Sequence, residues 1–195
     1  MFSPIHTLYT YFPVQFFIRL TIDLLIAAFG VFLSVRLYKK GRFDKAQTIA
    51  GIILFIWGAF VLMLTVLGRR THEDEYGLNL VFFDCYQRIF VGHDKAMLRS
   101  VLQNIIMFIP IGFTLSIVFK SKHRFIIPLA ISFGLSLTIE TCQLILDSGY
   151  FELDDLFNNT VGALIGILLC MLISLIIKRI RLHRKEETIE SENHC

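Results

Sequence analysis

Thr48-Ile49-Ala50-Gly51-Ile52-Ile53-Leu54-Phe55-Ile56-Trp57-Gly58-Ala59-Phe60-Val61-Leu62-Met63-Leu64-Thr65-Val66-Leu67 is an unbroken run without Asp, Glu, Lys or Arg. Roughly 20 apolar residues in a helix cross a hydrocarbon core about 30 Å thick, so this stretch predicts a transmembrane helix. Residues 100–119 and 158–177 are equally free of acidic and basic side chains. Two further apolar runs complete a set of five: 14–37, which carries Arg19 and Asp23, and 125–146, which carries Glu140. The expected fold is all-α, a polytopic helical membrane bundle.

Composition agrees. Hydrophobic residues make up 55 % of the chain and charged ones 18 %, with a mean hydropathy of +0.65. That excludes an ordinary soluble domain; the bilayer is the solvent for most side chains. Basic residues flank the apolar spans and do not interleave with exposed aromatics, so no nucleic-acid partner is expected. Cys85, Cys142, Cys170 and Cys195 form no CxxC or zinc-ligand spacing and read as small hydrophobes and free thiols. No metal and no cofactor are expected. The first 13 residues carry no Lys or Arg before the first apolar run, so no cleaved signal peptide is read and the first span is expected to remain.

Lys and Arg in short connections set orientation. Lys39, Lys40, Arg42 and Lys45 follow the first span; Lys120, Lys122 and Arg124 follow the third; Lys178, Arg179, Arg181, Arg184 and Lys185 follow the fifth. Five alternating spans put all three segments on one side, giving an N-out, C-in topology. The division is then an extra N-terminal span and basic loop (1–47), a four-helix core (48–177) and a basic-then-acidic tail (178–195), solvated and unstructured from Glu186 to Cys195. Between the second and third spans, residues 78–91 are apolar and aromatic but too short and too charged to cross. They read as an interfacial or re-entrant helix capping the outer face.

Polar groups inside a bilayer are expensive. In the fourth span Ser132, Ser136, Glu140, Gln143 and Asp147 fall within an arc of about 80° at about 100° per residue, so they share a face directed into the bundle. Asp154 and Asp155 precede the fifth span, followed by Asn158, Asn159 and Thr160. The dipole of a helix N-terminus favours such a carboxylate pair, and a solvated loop would tolerate it equally. Gly162 and Gly166 form a GxxxG, whose usual meaning is close helix approach. In the third span Asn104 lies near the outer end. Pro110 removes the donor that would have bonded the Ile106 carbonyl, and Gly112 follows. Asn104, Glu140, Gln143, Asp154, Asp155 and Asn158 are the candidate functional cluster; Pro110, Gly112, Gly162 and Gly166 are candidate structural positions. The ordinary alternative is that the Asn side chains only bond neighbouring helices. Arg19 and Asp23, spaced i, i+4, read as a mutually neutralising structural pair.

Three blocks carry a resemblance: Asn104-Ile105-Ile106-Met107-Phe108-Ile109-Pro110-Ile111-Gly112-Phe113, then Ser136-Leu137-Thr138-Ile139-Glu140-Thr141-Cys142-Gln143, then Asp154-Asp155-Leu156-Phe157-Asn158-Asn159-Thr160-Val161-Gly162 continuing to Gly166. In this order they resemble the VanZ-like family of bacterial integral membrane proteins, over residues 48–169, with the first span as an addition. The family often has a basic residue between the second and third blocks; residues 147–152 have none. The resemblance implies a cell-envelope protein associated with low-level resistance to the glycopeptide teicoplanin.

Three functions compete. One is a non-enzymatic envelope protein whose outer polar site binds a lipid head group, a lipid-linked cell-wall precursor, a lipoglycopeptide or a protein partner. No Gly-x-Ser-x-Gly or HExxH is present, and all six His lie outside the spans, which favours it. The second is an intramembrane enzyme on a lipid-linked precursor, with Glu140, Asp154 and Asp155 as acid–base or metal-holding groups. The third, a transporter, lacks a visible internal repeat. Membrane lipids are partners in every case, and five spans are compatible with an oligomer.

Overall fold

A computed structural model describes residues 4–67, 77–120, 123–146 and 149–193, without the side chains of residues 4–16, Arg19 and residues 188–193. The order is α1 (Pro4–Lys39), α2 (Lys45–Leu62) running into a π-helical turn (Met63–Leu67), β1 (Gly77–Asn79), α3 (Asp84–Phe90), α4 (Lys95–Val118), α5 (Ile126–Ile145), β2 (Tyr150–Glu152) and α6 (Leu153–Asn193). Five helices are long and apolar enough to cross a membrane, so the chain is a multi-pass helical membrane bundle. α3, with seven residues, is too short to span, and its surroundings expose Leu78, Val81, Phe90 and Val91.

Polar caps place the helix starts earlier than hydropathy alone suggests. Asp44 and Gln47 form a capping box on α2: Asp44 Oδ1 accepts the Gln47 N–H at 2.9 Å, and Gln47 Oε1 accepts the Asp44 N–H at 3.1 Å. Asp94 Oδ1 accepts the N–H groups of Ala96 and Met97, each at 3.0 Å. α4 therefore begins at Lys95, before the apolar run. α6 begins at Leu153, which puts Asp154 and Asp155 in its first turn and not in a preceding loop.

α6 also corrects the reading of the tail. Helix continues to Asn193, where an unstructured end was expected from Glu186 onward. Lys, Arg and Glu are good helix formers, and His183 faces Glu187 one turn on at 3.4 Å.

The densest packing joins α4 to α6; α1 packs on α2, α2 on α4, and α5 on α6. Glycines explain the α4–α6 contact. A Cβ on Gly162 would overlap the Ile105 carbonyl oxygen, one on Gly166 that of Ile109, and one on Gly112 that of Ala163. The GxxxG thus presses against α4, and Gly112 answers from the other side. The buried core beside this seam is Val61, Phe108, Ile111, Leu115, Ile139 and Ala163.

At one end of the bundle Gln47 Nε2 donates to the Val118 carbonyl at 2.8 Å, and Lys120 pairs with Asp44. This is where the basic connections lie. At the opposite end β1 and β2 pair in parallel, Gly77 with Tyr150 and Asn79 with Glu152. That three-residue ladder falls below what sequence alternation can reveal, and α3 lies beside it.

Candidate functional site

The polar cluster forms at the end opposite the basic connections. α5 buries Ser132, Ser136, Glu140 and Gln143 together, as the shared helical face requires; Asp147 lies outside the described residues. Glu140, 1 % exposed, accepts the backbone N–H of Glu152 through Oε2 at 3.0 Å. It therefore fixes the end of β2. Gln143 donates through Nε2 to the Thr65 carbonyl at 3.0 Å. Thr65 lies in the π-helical turn, where terminal carbonyls have lost their helical donors.

Asp154 is 2 % exposed. Its Oδ1 accepts the Phe83 N–H at 2.6 Å and its Oδ2 the Cys85 N–H at 2.8 Å. Those amides open α3, so one carboxylate caps a helix from across the fold. Phe83 adopts a left-handed backbone, φ 65°, a costly conformation for a bulky residue. The bond to Asp154 and edge-on contacts with Phe157 (ring centroids 5.6 Å) and Tyr86 (5.8 Å) hold it there.

Asn158, fully buried, accepts the Tyr86 hydroxyl through Oδ1 at 2.6 Å. Asn159 donates through Nδ2 to Ser136 Oγ at 2.9 Å, joining α6 to α5. Asn104 is 7 % exposed on α4. Asn104 Nδ2 and Asn158 Nδ2 are buried with no hydrogen-bond partner among the described residues. Asp155 is half-buried, one helical turn before Asn158 on α6. Four of the six cluster residues thus bind other elements through identified hydrogen bonds: Glu140 to β2, Gln143 to the π-helical turn after α2, and Asp154 and Asn158 to the start and first turn of α3.

Sequence reasoning missed Tyr86, Phe83, Cys85 and Thr65 as partners. Tyr86 and Phe83 lay in the aromatic 78–91 segment, which was the available signal; a backbone carbonyl such as that of Thr65 leaves none. Burial pushes the Cys85 thiol up to about 12, with the adjacent Asp154 carboxylate adding to the effect. Tyr86 is raised as well, first by burial and then by Cys85 and Asp154.

Pro110 lies inside α4. The donor found at that turn is Trp57 Nε1, and it bonds the Met107 carbonyl at 2.9 Å, one residue beyond the carbonyl that the proline was expected to free. Asp23 is 5 % exposed on α1 and neither carboxylate oxygen has a hydrogen-bond partner among the described residues. The expected pairing with Arg19 lies outside the described side chains. No group of three or more His, Cys, Asp or Glu among the described residues is arranged to hold a metal ion.

No solved structure matches this chain. The chain is similar to Protein VanZ of Enterococcus faecium, 38 % identical over 69 residues, which covers 35 % of this chain and 42 % of that relative. The match spans about two fifths of the relative's length. The VanZ/LLP1 family matches residues 48–174, a range that contains every cluster residue and reaches from the first turn of α2 into the middle of α6. By that match, this chain belongs to the VanZ/LLP1 family.

Proposed function

We propose that the protein is a non-catalytic component of the bacterial cytoplasmic membrane. Its polar end, facing outward, binds the head group of a lipid-linked envelope precursor and so alters glycopeptide access to it. The observation that carries this reading is how two of the three acids in the family blocks, Glu140 and Asp154, are used. Glu140 and Asp154 direct three carboxylate contacts at backbone N–H groups of β2 and α3. Such charge-assisted bonds are strong and directional. Acids used this way shape a surface; an acid–base catalyst has to present its oxygen to a substrate. The basic connections at the other end support the outward assignment through the positive-inside rule. The link to teicoplanin comes from the family resemblance.

A second reading, an intramembrane enzyme acting on the same class of precursor, draws on the buried Nδ2 groups of Asn104 and Asn158, which have no partner among the described residues. Buried donors of that kind are suited to an oxyanion.

The test combines two measurements. Teicoplanin susceptibility is scored in cells expressing wild type or the variants Glu140→Gln, Gln143→Leu, Asp154→Asn, Asp155→Asn and Asn158→Leu. Purified protein in lipid nanodiscs is then titrated with a lipid-linked disaccharide precursor. The binding reading expects selective binding without turnover, weakened together with resistance in the variants. Neither selective binding nor any change in susceptibility would sink it, and turnover of the precursor would replace it with the enzyme.

A further inference from the structure

α6 is far longer than a bilayer requires. Its 41 residues extend about 60 Å at 1.5 Å per residue, against a hydrocarbon core of about 30 Å. The excess lies at the basic end of the bundle, and it carries Lys178, Arg179, Arg181, Arg184 and Lys185.

These cations divide into two faces of different character. One face is a shallow groove lined by Ser174, Ile177, Lys178, Arg181, Leu182 and Lys185. Its three cations follow an i, i+3, i+7 spacing, so they form a single stripe, and no acidic side chain lines the groove. The other face carries Arg179, His183 and Arg184 but also Glu187, which His183 meets at 3.4 Å. Among the described residues, Lys178, Arg181 and Lys185 have neither an ion pair nor a side-chain hydrogen bond.

Ile177 and Leu182, on the same groove, are 43 % and 53 % exposed. A soluble anion would neutralise the stripe and make no contact with these apolar side chains. An uncharged lipid would cover them and leave three cations uncompensated. A phosphodiester attached to acyl chains does both, with the Lys and Arg stems lying along hydrocarbon and their charges reaching the phosphate.

We propose that the Lys178–Arg181–Lys185 face of α6 is a binding site for an anionic phospholipid, separate from the polar cluster at the other end. The phosphate sits on the cation stripe and an acyl chain runs toward Ser174 along Ile177.

The test uses the full chain in a neutral detergent, titrated with pyrene-labelled phosphatidylglycerol and, separately, with pyrene-labelled phosphatidylcholine. Wild type is expected to prefer the anionic lipid. The triple variant Lys178→Gln/Arg181→Gln/Lys185→Gln should lose that preference by a factor on the order of 100. The pair Arg179→Gln/Arg184→Gln, on the other face, should keep most of it. All five positions are exposed, and helix content by circular dichroism checks that each variant folds. Equal affinity for the two lipids in wild type overturns the proposal, as does an equal loss in both variants. Displacement of the anionic lipid by millimolar inorganic phosphate would also overturn it, leaving a simple anion site.

Discussion

Asp154 and Cys85 are joined by a 2.8 Å hydrogen bond from the Cys85 backbone N–H to Asp154 Oδ2, 69 positions apart in the chain. The other oxygen of the same carboxylate holds Phe83. Replacing Asp154 with Asn leaves a single acceptor oxygen, and an amide N–H then faces a backbone N–H. Asp154→Asn should destabilise the protein by about 2 kcal/mol, the scale of a lost charge-assisted bond. Thermal unfolding in detergent, with protease sensitivity near α3 as a second readout, checks it.

The same pair sets a chemical expectation. With its thiol pushed up to about 12 by burial and then by Asp154, Cys85 holds about one part in ten thousand as thiolate at pH 8. Alkylation of Cys85, followed in a background lacking the other three cysteines, should be very slow at pH 8 and accelerate only toward strongly basic pH. In Asp154→Asn the rate profile should move to lower pH, because a neighbouring negative charge has been removed. An unchanged profile would show that Asp154 has no electrostatic effect on the thiol.

Glycine positions divide sharply. Gly112→Ala, Gly162→Ala and Gly166→Ala each drive a methyl into a backbone carbonyl across the α4–α6 seam. Each should cost about 1–3 kcal/mol, the usual range for overpacking. Gly58 and Gly134 have open space at the same point, so Gly58→Ala and Gly134→Ala should be neutral or slightly stabilising, since Ala is the better helix former. Unfolding midpoints of the five variants, measured in one detergent, test the contrast.

Asp94 gives a pH dependence. The Met97 backbone N–H and Arg88 hold its carboxyl below the ordinary value, and Arg88 Nη2 lies 3.0 Å from Oδ2. The folded state therefore favours the charged form. Stability from this group is present above the unfolded value near 4 and is lost as pH falls through the lower folded value. The unfolding temperature of wild type should drop more between pH 6 and pH 3 than that of Asp94→Ala, which lacks the carboxyl at both.

Much of this was legible in the sequence because it depends on helical spacing. Ser132, Ser136, Glu140 and Gln143 share a face at 3.6 residues per turn, and the structure buries all four. Gly162 and Gly166 announced a close contact, although the identity of α4 as the neighbour came only with the fold. What stayed hidden depends on long-range pairing. Tyr86 reaches Asn158 across 72 positions, and no local period records such a bond. β1 and β2 contribute three residues each, too few for alternation to register. Hydropathy also placed the starts of α4 and α6 too late, because it ignores a polar start, where Asp94 caps α4 and where Asp154 and Asp155 fill the first turn of α6.

The parallel pairing of β1 with β2 has a consequence for biogenesis. The segment around α3 precedes α4, yet its partners Glu152, Asp154 and Asn158 are made about 70 residues later. During translation it must wait, with its backbone amides satisfied by water, until α5 has been threaded and the start of α6 has emerged. Assembly of this end is therefore a late, non-local step, of the kind that is slow to form. A chain arrested before residue 150 would carry membrane helices with this end of the bundle unfinished.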